Sequence, residues 1–513
     1  MFYQKKITVK KIKNALISVF YKDGLDEIVT MLKANGVQIY ATGGTLDFIR
    51  KIDDTVLSVE SLTGYPSILG GRVKTLHPKV FGGILGRIDN TTDVAEMQKY
   101  EIPAFDLVIV DLYPFEETVK KTSDAAEIIE KIDIGGISLI RAGAKNFNEC
   151  VIVPSSKYYS EFVEIYTKND GCTSLEDRRR FATYAFATSS YYDGMIYDWF
   201  AKDLEDKNLN IHVDKQYPLR YGENPHQKAT FFGDIDDIFE KLHGKDISYN
   251  NILDLDAGIN LMREFDEPTF AILKHNNPCG IASRKTVFEA YRDALAGDPV
   301  SAFGGVFVCN RPIDLMTAEE INKMFFEVIV APEYENGVLD ILFSKKNRIV
   351  LKIKDFKPSC KLVRSALNGI LVQDRDMHTE TAADFKTVTK KEVETSYVDD
   401  LIFANKIVKH SRSNAIVLAK NKQLCASGIG QTSRVDSLKQ AIKKAGDFNF
   451  DLNGAVLASD AYFPFPDCVN ISAEAGIAAI VQPGGSIRDQ ESIDACNEKN
   501  IAMVFTGYRH FKH

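Results

Sequence analysis

The stretch Phe270–Gly280 of this 513-residue chain ends an apolar run on Lys274 and His275 and then enters an Asn-Asn-Pro turn. A strand that ends this way would place a general base and a cation at the strand's end. Three further clusters mix glycine, which lets backbone amides approach a ligand, with groups that can neutralise or hydrogen-bond it. Leu69–Pro78 packs Arg72, Lys74 and His77 into six residues. Glu130–Asn146 carries Asp133, Arg141 and Lys145, which its helix-like pattern is expected to bring near one helix terminus. Arg220–His226 is dense in hydrogen-bonding side chains. Each has an ordinary alternative: a solvated turn, ion pairing on a helix surface, a structural histidine.

Other chemistries fail on spacing. Gly70–Thr75 ends in Lys-Thr but has Val73 where a P-loop needs glycine, and no G-x-G-x-x-G occurs. A zinc deaminase needs H-x-E followed by P-C-x-x-C. His378-Thr379-Glu380 and Pro278-Cys279 supply fragments, but in reversed order and with Ala282 at the second cysteine position, so no catalytic metal is expected. The net charge of -8 argues against a nucleic-acid binder. The eight scattered cysteines read as free thiols of a cytoplasmic protein, and the start MFYQKKITVK has no apolar leader. No apolar run approaches the roughly 20 residues that cross a bilayer.

These residues need a scaffold. From Ala15 to Cys150, short apolar runs (ALISVF, VQIYATGG, DLVIVDLY) alternate with helix-like segments (GLDEIVTMLKANG, AEIIEKI), the pattern of a Rossmann-type α/β unit with a largely parallel sheet. Ligands of such sheets sit beyond the strands' carboxyl ends. The turns Tyr21–Gly24, Thr42–Thr45 and Asp111–Pro114 follow apolar runs and are therefore candidates. Ser174–Phe200 reads as helix, and the charged stretch 201–217 as a linker. The expected organisation is domain 1–200, linker 201–217 and domain 218–513. Within the last, AGDPVSAFGGVFV (296–308) and ASDAYFPFPDCV (458–469) share a small-x-Asp-then-Phe pattern, a faint sign of duplication into halves of about 218–385 and 386–513.

The pieces RVKTLHP, DLYPF, IDIGG, RYGENPHQ, LKHNNPCG, SAFGG, SNAIVLAKN, GIGQTSR, SDAYFPF and YRHFKH stand in this order along the chain. In that order they resemble the bifunctional phosphoribosylaminoimidazolecarboxamide (AICAR) formyltransferase and inosine monophosphate (IMP) cyclohydrolase family, almost end to end. The resemblance implies a methylglyoxal-synthase-like cyclohydrolase domain followed by a transformylase of two cytidine-deaminase-like halves without zinc. It also implies 10-formyltetrahydrofolate as co-substrate, a formylated intermediate (FAICAR) that cyclises to IMP, and a homodimer with the transformylase site at its interface.

Carried over by motif, Lys74, Tyr113, Asp133 and Lys145 would be catalytic in ring closure. Lys22, Thr42, Gly43, Gly44, Thr45, Arg72, Val73, Thr75, Asp111 and Ile134 would hold that nucleotide. Lys274 and His275 would be catalytic in formyl transfer, with Arg220, Tyr221, Gly304, Glu327, Asn414 and Arg509 on the ribonucleotide and Arg434, Val435, Tyr462, Asp467, Ser486 and Ile487 on the folate. Two departures stand out. The family's SVSDKTG loop reads Ser18-Val19-Phe20-Tyr21-Lys22-Asp23-Gly24 here, and Glu327 stands where some relatives carry Asp. The competing readings are a chain that retains one of the two activities and a nonenzymatic nucleotide or folate binder.

Overall fold

The computed structural model describes residues 9–513; most of the N-terminal start considered above lies outside the described residues. The chain divides into two compact units, Met1–His212 and Val213–His513.

The first unit is built on a five-stranded, all-parallel sheet. Its strands and principal helices are β1 (Asn14–Val19), α1 (Leu25–Ala34), β2 (Gln38–Ala41), α2 (Gly43–Ile49), β3 (Leu57–Ser58), β4 (Leu107–Asp111), α3 (Gly135–Lys145), β5 (Val151–Val153) and α4 (Leu175–Phe200). The strand order is β3-β2-β1-β4-β5. Helices cover both faces, so a central strand such as β4 buries Leu107, Val108, Ile109 and Val110 alike, which is why it reads as an unbroken apolar run. The long α4 starts at a capping box: Ser174 Oγ accepts from Asp177 N, and the Asp177 carboxylate accepts from Ser174 N.

The second unit holds one twelve-stranded mixed sheet. Its first half runs β6 (Phe239–His243), α5 (Tyr249–Met262), β7 (Thr269–Lys274), β8 (Asn277–Ser283), α6 (Val287–Gly297), β9 (Val306–Cys309), β10 (Val328–Ala331) and β11 (Ile349–Ile353). The second half repeats the plan as β12 (Lys386–Thr387), α7 (Thr395–Lys409), β13 (Ile416–Lys420), β14 (Gln423–Gly428), α8 (Arg434–Asp447), β15 (Val456–Ser459), β16 (Ala479–Gln482) and β17 (Ala502–Phe505). The spatial order is β6-β11-β10-β9-β7-β8-β14-β13-β15-β16-β17-β12. Read outward from the antiparallel seam of β8 and β14, the pairing senses are the same on both sides.

The duplication reaches individual residues. Each half has a hairpin with a two-residue turn in which both residues have positive φ: His275 and Asn276 in one, Asn421 and Lys422 in the other. Each turn is capped by an aspartate from the preceding long helix. Asp254 accepts from Asn276 N at 2.6 Å, and Asp400 accepts from Asn421 N at 2.7 Å and Lys422 N at 2.6 Å. The motif that hinted at duplication is not part of this correspondence. Asp298 precedes β9, whereas Asp460 follows β15, so the two Asp-Phe patterns occupy different places in the repeat.

Two candidate active sites

The first site lies beyond the carboxyl ends of β1, β2 and β4. There the turns Phe20–Gly24, Thr42–Thr45 and Asp111–Pro114, together with the loop Gly70–Thr75 and the start of α3, enclose a cavity of about 570 Å³, large enough for a nucleotide. Lys22, Thr42, Gly44, Thr45, Arg72, Lys74, Thr75, Asp111, Tyr113, Asp133 and Ile134 all line it. Gly43 belongs to the same wall, since a Cβ there would stand 3.8 Å from Lys74 Nζ. Val73 is the exception among the loop residues: it is not in the lining, and its backbone bridges to Ile68.

The cavity is an arrangement of half-buried charges. Lys22 is anchored from below, its ammonium donating to the carbonyls of Val19 and Phe20 at 2.7 Å each, and burial holds its pKa below the usual lysine range against the pull of Asp111. Burial pushes the Asp111 and Asp133 carboxyls up, opposed by backbone donors, among them Tyr21 N for Asp111 and Gly136 N at 2.6 Å for Asp133. The Tyr113 phenol is raised by burial and by the neighbouring Asp133 and Glu130 carboxylates. Arg72 reaches across to ion-pair with Glu130. Together these place a cation, a phenol and a proton-affine carboxylate around one space.

Two residues differ from the sequence-based expectation. Lys145 was grouped with Asp133 at one helix terminus, but α3 begins at Gly135 and ends at Lys145. Ten residues at 1.5 Å each put the exposed Lys145 about 15 Å from the cavity end of that helix. Arg141 also points away, its guanidinium donating to Ser189 at 3.3 Å and lying over the Phe186 ring. The aromatic exchange in the first loop has a structural role that motif matching did not reveal. Phe20 lines the cavity and meets the Tyr113 ring edge-on, centroids 5.6 Å apart at 89°.

The second site gathers at one end of the large sheet. Lys274 donates to the Phe303 carbonyl at 2.8 Å, beside Gly304, whose φ of 72° favours glycine. Glu327 N donates to the Gly305 carbonyl, which brings Glu327 to the same end. Its carboxylate accepts from Asn251 at 3.1 Å and from Lys245 at 3.5 Å. His275 is exposed at the hairpin tip, above Asp254, whose carboxyl is pushed up by burial and held down by the Asn276 amide and by His275. Asn250 donates to the Glu223 carbonyl at 3.2 Å and so ties in the loop in which Arg220 stacks on the Tyr221 ring at 4.6 Å.

From the other half, Arg412 N donates to Asn277 Oδ1 at 3.1 Å, joining the segment that carries Asn414 to the His275 hairpin. Arg509 is exposed on the terminal stretch, its guanidinium over the Phe511 ring. Of the residues expected on the folate, Tyr462 follows β15 and Ser486 and Ile487 follow β16, with Tyr462 and Ile487 exposed. Asp467 opens the helix Asp467–Glu474 and accepts from Cys468 N. Arg434 is a departure: it is 7% exposed and committed to Asp460, to Ser459 at 2.8 Å and to Asn414 Oδ1 at 2.8 Å. It can orient Asn414 but presents little surface to a ligand. Val435, beside it, is half-buried and packs on the core of that half.

Among the described residues, no group of three or more His, Cys, Asp or Glu is gathered to hold a metal, and no helix is long and apolar enough to cross a membrane. The fragments of the deaminase pattern serve packing: His378 lies against Tyr508 with ring centroids 3.8 Å apart, and Glu380 hydrogen-bonds His510.

Residues 143–444 match the family described as AICARFT/IMPCHase bienzyme, and residues 24–138 match the MGS-like domain. Among curated proteins, the "Bifunctional purine biosynthesis protein PurH" of Bacteroides thetaiotaomicron is 59% identical across 98% of this chain and 99% of its own length. Proteins of the same name from Caldicellulosiruptor saccharolyticus and Aquifex aeolicus are each 46% identical, across 98% and 97% of this chain respectively and the whole of their own lengths. With two sites of this chemistry and likeness over nearly its full length, the chain belongs to the AICARFT/IMPCHase bienzyme family.

Proposed function

We propose that the second unit transfers a formyl group from 10-formyltetrahydrofolate to AICAR and that the first unit closes the resulting FAICAR to IMP with loss of water. The activities are those of the family; the residue roles are our reading. The observation that carries the first-unit role is the convergence of Lys74, Tyr113 and Asp133 on one cavity.

Ring closure asks that the carboxamide nitrogen be held against the formyl carbon, and contact alone supplies much of the rate. Lys22, Thr42–Thr45, Arg72 and Thr75 hold the nucleotide, with Asp111 and Ile134 in the surrounding wall. Lys74 and Tyr113 stabilise the oxygen that gains charge, and Asp133, its carboxyl biased toward the protonated form by burial, hands over the proton with which hydroxide leaves as water. Lys145, on the exposed end of α3, reaches such chemistry only if a second copy of the chain presents it.

In formyl transfer, formylated folate supplies the one-carbon unit. His275, held by its turn, takes the proton from the ring-conjugated amine as that amine bonds to the formyl carbon. Lys274 stabilises the tetrahedral oxyanion or protonates the folate nitrogen as its bond to that carbon breaks and tetrahydrofolate leaves. Arg220, Tyr221, Gly304, Glu327, Asn414 and Arg509 surround the ribonucleotide, while Tyr462, Ser486 and Ile487 offer surface to the folate. The protein works in the cytoplasm as a homodimer in this reading.

The test follows tetrahydrofolate release and IMP formation separately for wild type, Lys274→Ala and Lys74→Ala. Lys274→Ala should lose the first product and still close supplied FAICAR. Lys74→Ala should release tetrahydrofolate and accumulate FAICAR. A wild type without folate turnover would refute the formyl-transfer assignment, and IMP formation no faster than the spontaneous reaction would refute the other.

A further inference from the structure

The terminal stretch Tyr508–His513 has no regular secondary structure, yet it is pinned at several points. His510 is 3% exposed, and its ring lies between two carboxylates: Nδ1 is 2.6 Å from Asp376 Oδ2, and Nε2 is 2.6 Å from Glu380 Oε1. Carboxylates only accept, so both ring nitrogens must donate and the ring is an imidazolium. Burial alone would push its pKa down, but the two hydrogen bonds carry it up to about 9.

The backbone around it continues the attachment. His510 N donates to the Asp460 carbonyl at 3.0 Å, Ser413 N donates to the Lys512 carbonyl at 2.9 Å, and Lys512 N donates to Ser413 Oγ at 3.0 Å. One residue before Ser413, Arg412 N donates to Asn277 Oδ1, whose own amide donates to the His275 carbonyl at 2.8 Å. One residue after it stands Asn414. The tail is thus connected by short hydrogen-bonded links both to the hairpin bearing His275 and to Asn414.

We propose that His510, clamped between Asp376 and Glu380, is a latch that fixes the C-terminal tail against Arg412–Asn414 and thereby positions His275 and Asn414 for formyl transfer. It is a positioning residue and touches no substrate. This role rests on reading the second unit as the formyl-transfer unit. The charged groups around the ring are Asp376 and Glu380 from the segment before β12, Lys409 from α7, which donates to the His378 carbonyl, and Asp460 after β15, paired with Arg434. Arg509 and Lys512 flank it on the tail itself. Because the histidine pKa is raised, the stability that the latch contributes is fully present below about 6.5, the ordinary histidine value, and is lost as pH rises through about 9.

The experiment compares full-length wild type, His510→Gln and Glu380→Gln. It measures kcat and KM for formyl transfer against pH, ring closure of supplied FAICAR, and hydrogen exchange of the tail amides at neutral pH. His510→Gln should speed tail exchange and lower the formyl-transfer kcat at least tenfold while ring closure stays at the wild-type rate. Glu380→Gln, a near-isosteric change, should move the alkaline limb of the kcat profile to lower pH, a shift that general loosening of the fold does not produce. A His510→Gln protein with wild-type tail exchange and kcat, or a Glu380→Gln protein with an unmoved limb, overturns the latch alone. A wild type that closes the ring but transfers no formyl group overturns the functional reading and the latch together.

Discussion

Lys74, Tyr113 and Asp133 differ in what each stands to lose. Removing a cation aimed at a developing oxyanion costs roughly 10²–10³ in rate, so Lys74→Ala should slow FAICAR closure by that order in a single-turnover assay. Phe20 acts on the same phenol from the side. Losing an edge-on aromatic contact is worth about 0.5–1.5 kcal/mol, so Phe20→Ser should slow closure by roughly two- to tenfold and leave formyl transfer unchanged. Asp133 has the opposite balance of stability and function. Its carboxyl is raised, so the fold binds more protons than the unfolded chain between the ordinary value and the raised one. Stability therefore falls as pH rises through that window, and above it the buried charge is a burden. Asp133→Asn, which cannot titrate, should lack this fall in stability with rising pH while losing ring closure, seen by thermal scans at several pH values beside the activity assay. For Lys145→Ala, an unchanged closure rate would agree with its distance from its own cavity. A lost rate in a well-folded protein would show that a second copy brings the lysine in.

The two hairpin turns share a backbone shape, but Asp254 caps one turn amide where Asp400 caps two, and only the first turn carries a histidine. Leaving a turn amide without its acceptor costs about 1–3 kcal/mol, so Asp254→Ala should lower stability by about that much and Asp400→Ala, which strips two amides, by more. Only Asp254→Ala should also reduce the formyl-transfer kcat, because only that turn holds His275. Much at this scale was legible in the sequence. The parallel strands of the first unit announced themselves as apolar runs because both faces of that sheet are covered, and α4 could be read from Ser174 onward because its cap is local. The cavity turns were legible because the strand ends that carry them are. What was not legible depended on length or on distant partners. Lys145 was misplaced because its motif did not show that α3 runs the whole way from Gly135 to Lys145. The burial of Arg434 depends on Asp460, 26 residues away, and nothing local to either residue reveals that pair. The duplication was sensed from a pattern at non-equivalent positions, while the true repeat, Asp254 with Asp400 and His275-Asn276 with Asn421-Lys422, shares too few side chains to be seen without the sheet.

Each unit has its own buried clusters. Residues 1–212 expressed alone should therefore fold and, unless Lys145 of another copy is required, close FAICAR. A chain ending before Arg509 should lose formyl transfer and keep ring closure, and the two assays run side by side would show it. The seam of the large sheet also decides which strands are edges. β8 and β14 meet antiparallel at Ala282 and Gln423, with the two halves repeating outward from that line. Two identical sheets joined edge to edge about a two-fold axis make the same arrangement. A half standing alone would have a bare edge strand at the seam, and the self-pairing that such edges invite is the hazard most folds must suppress. Within one polypeptide that pairing is a permanent internal joint, which leaves neither seam strand exposed as an edge.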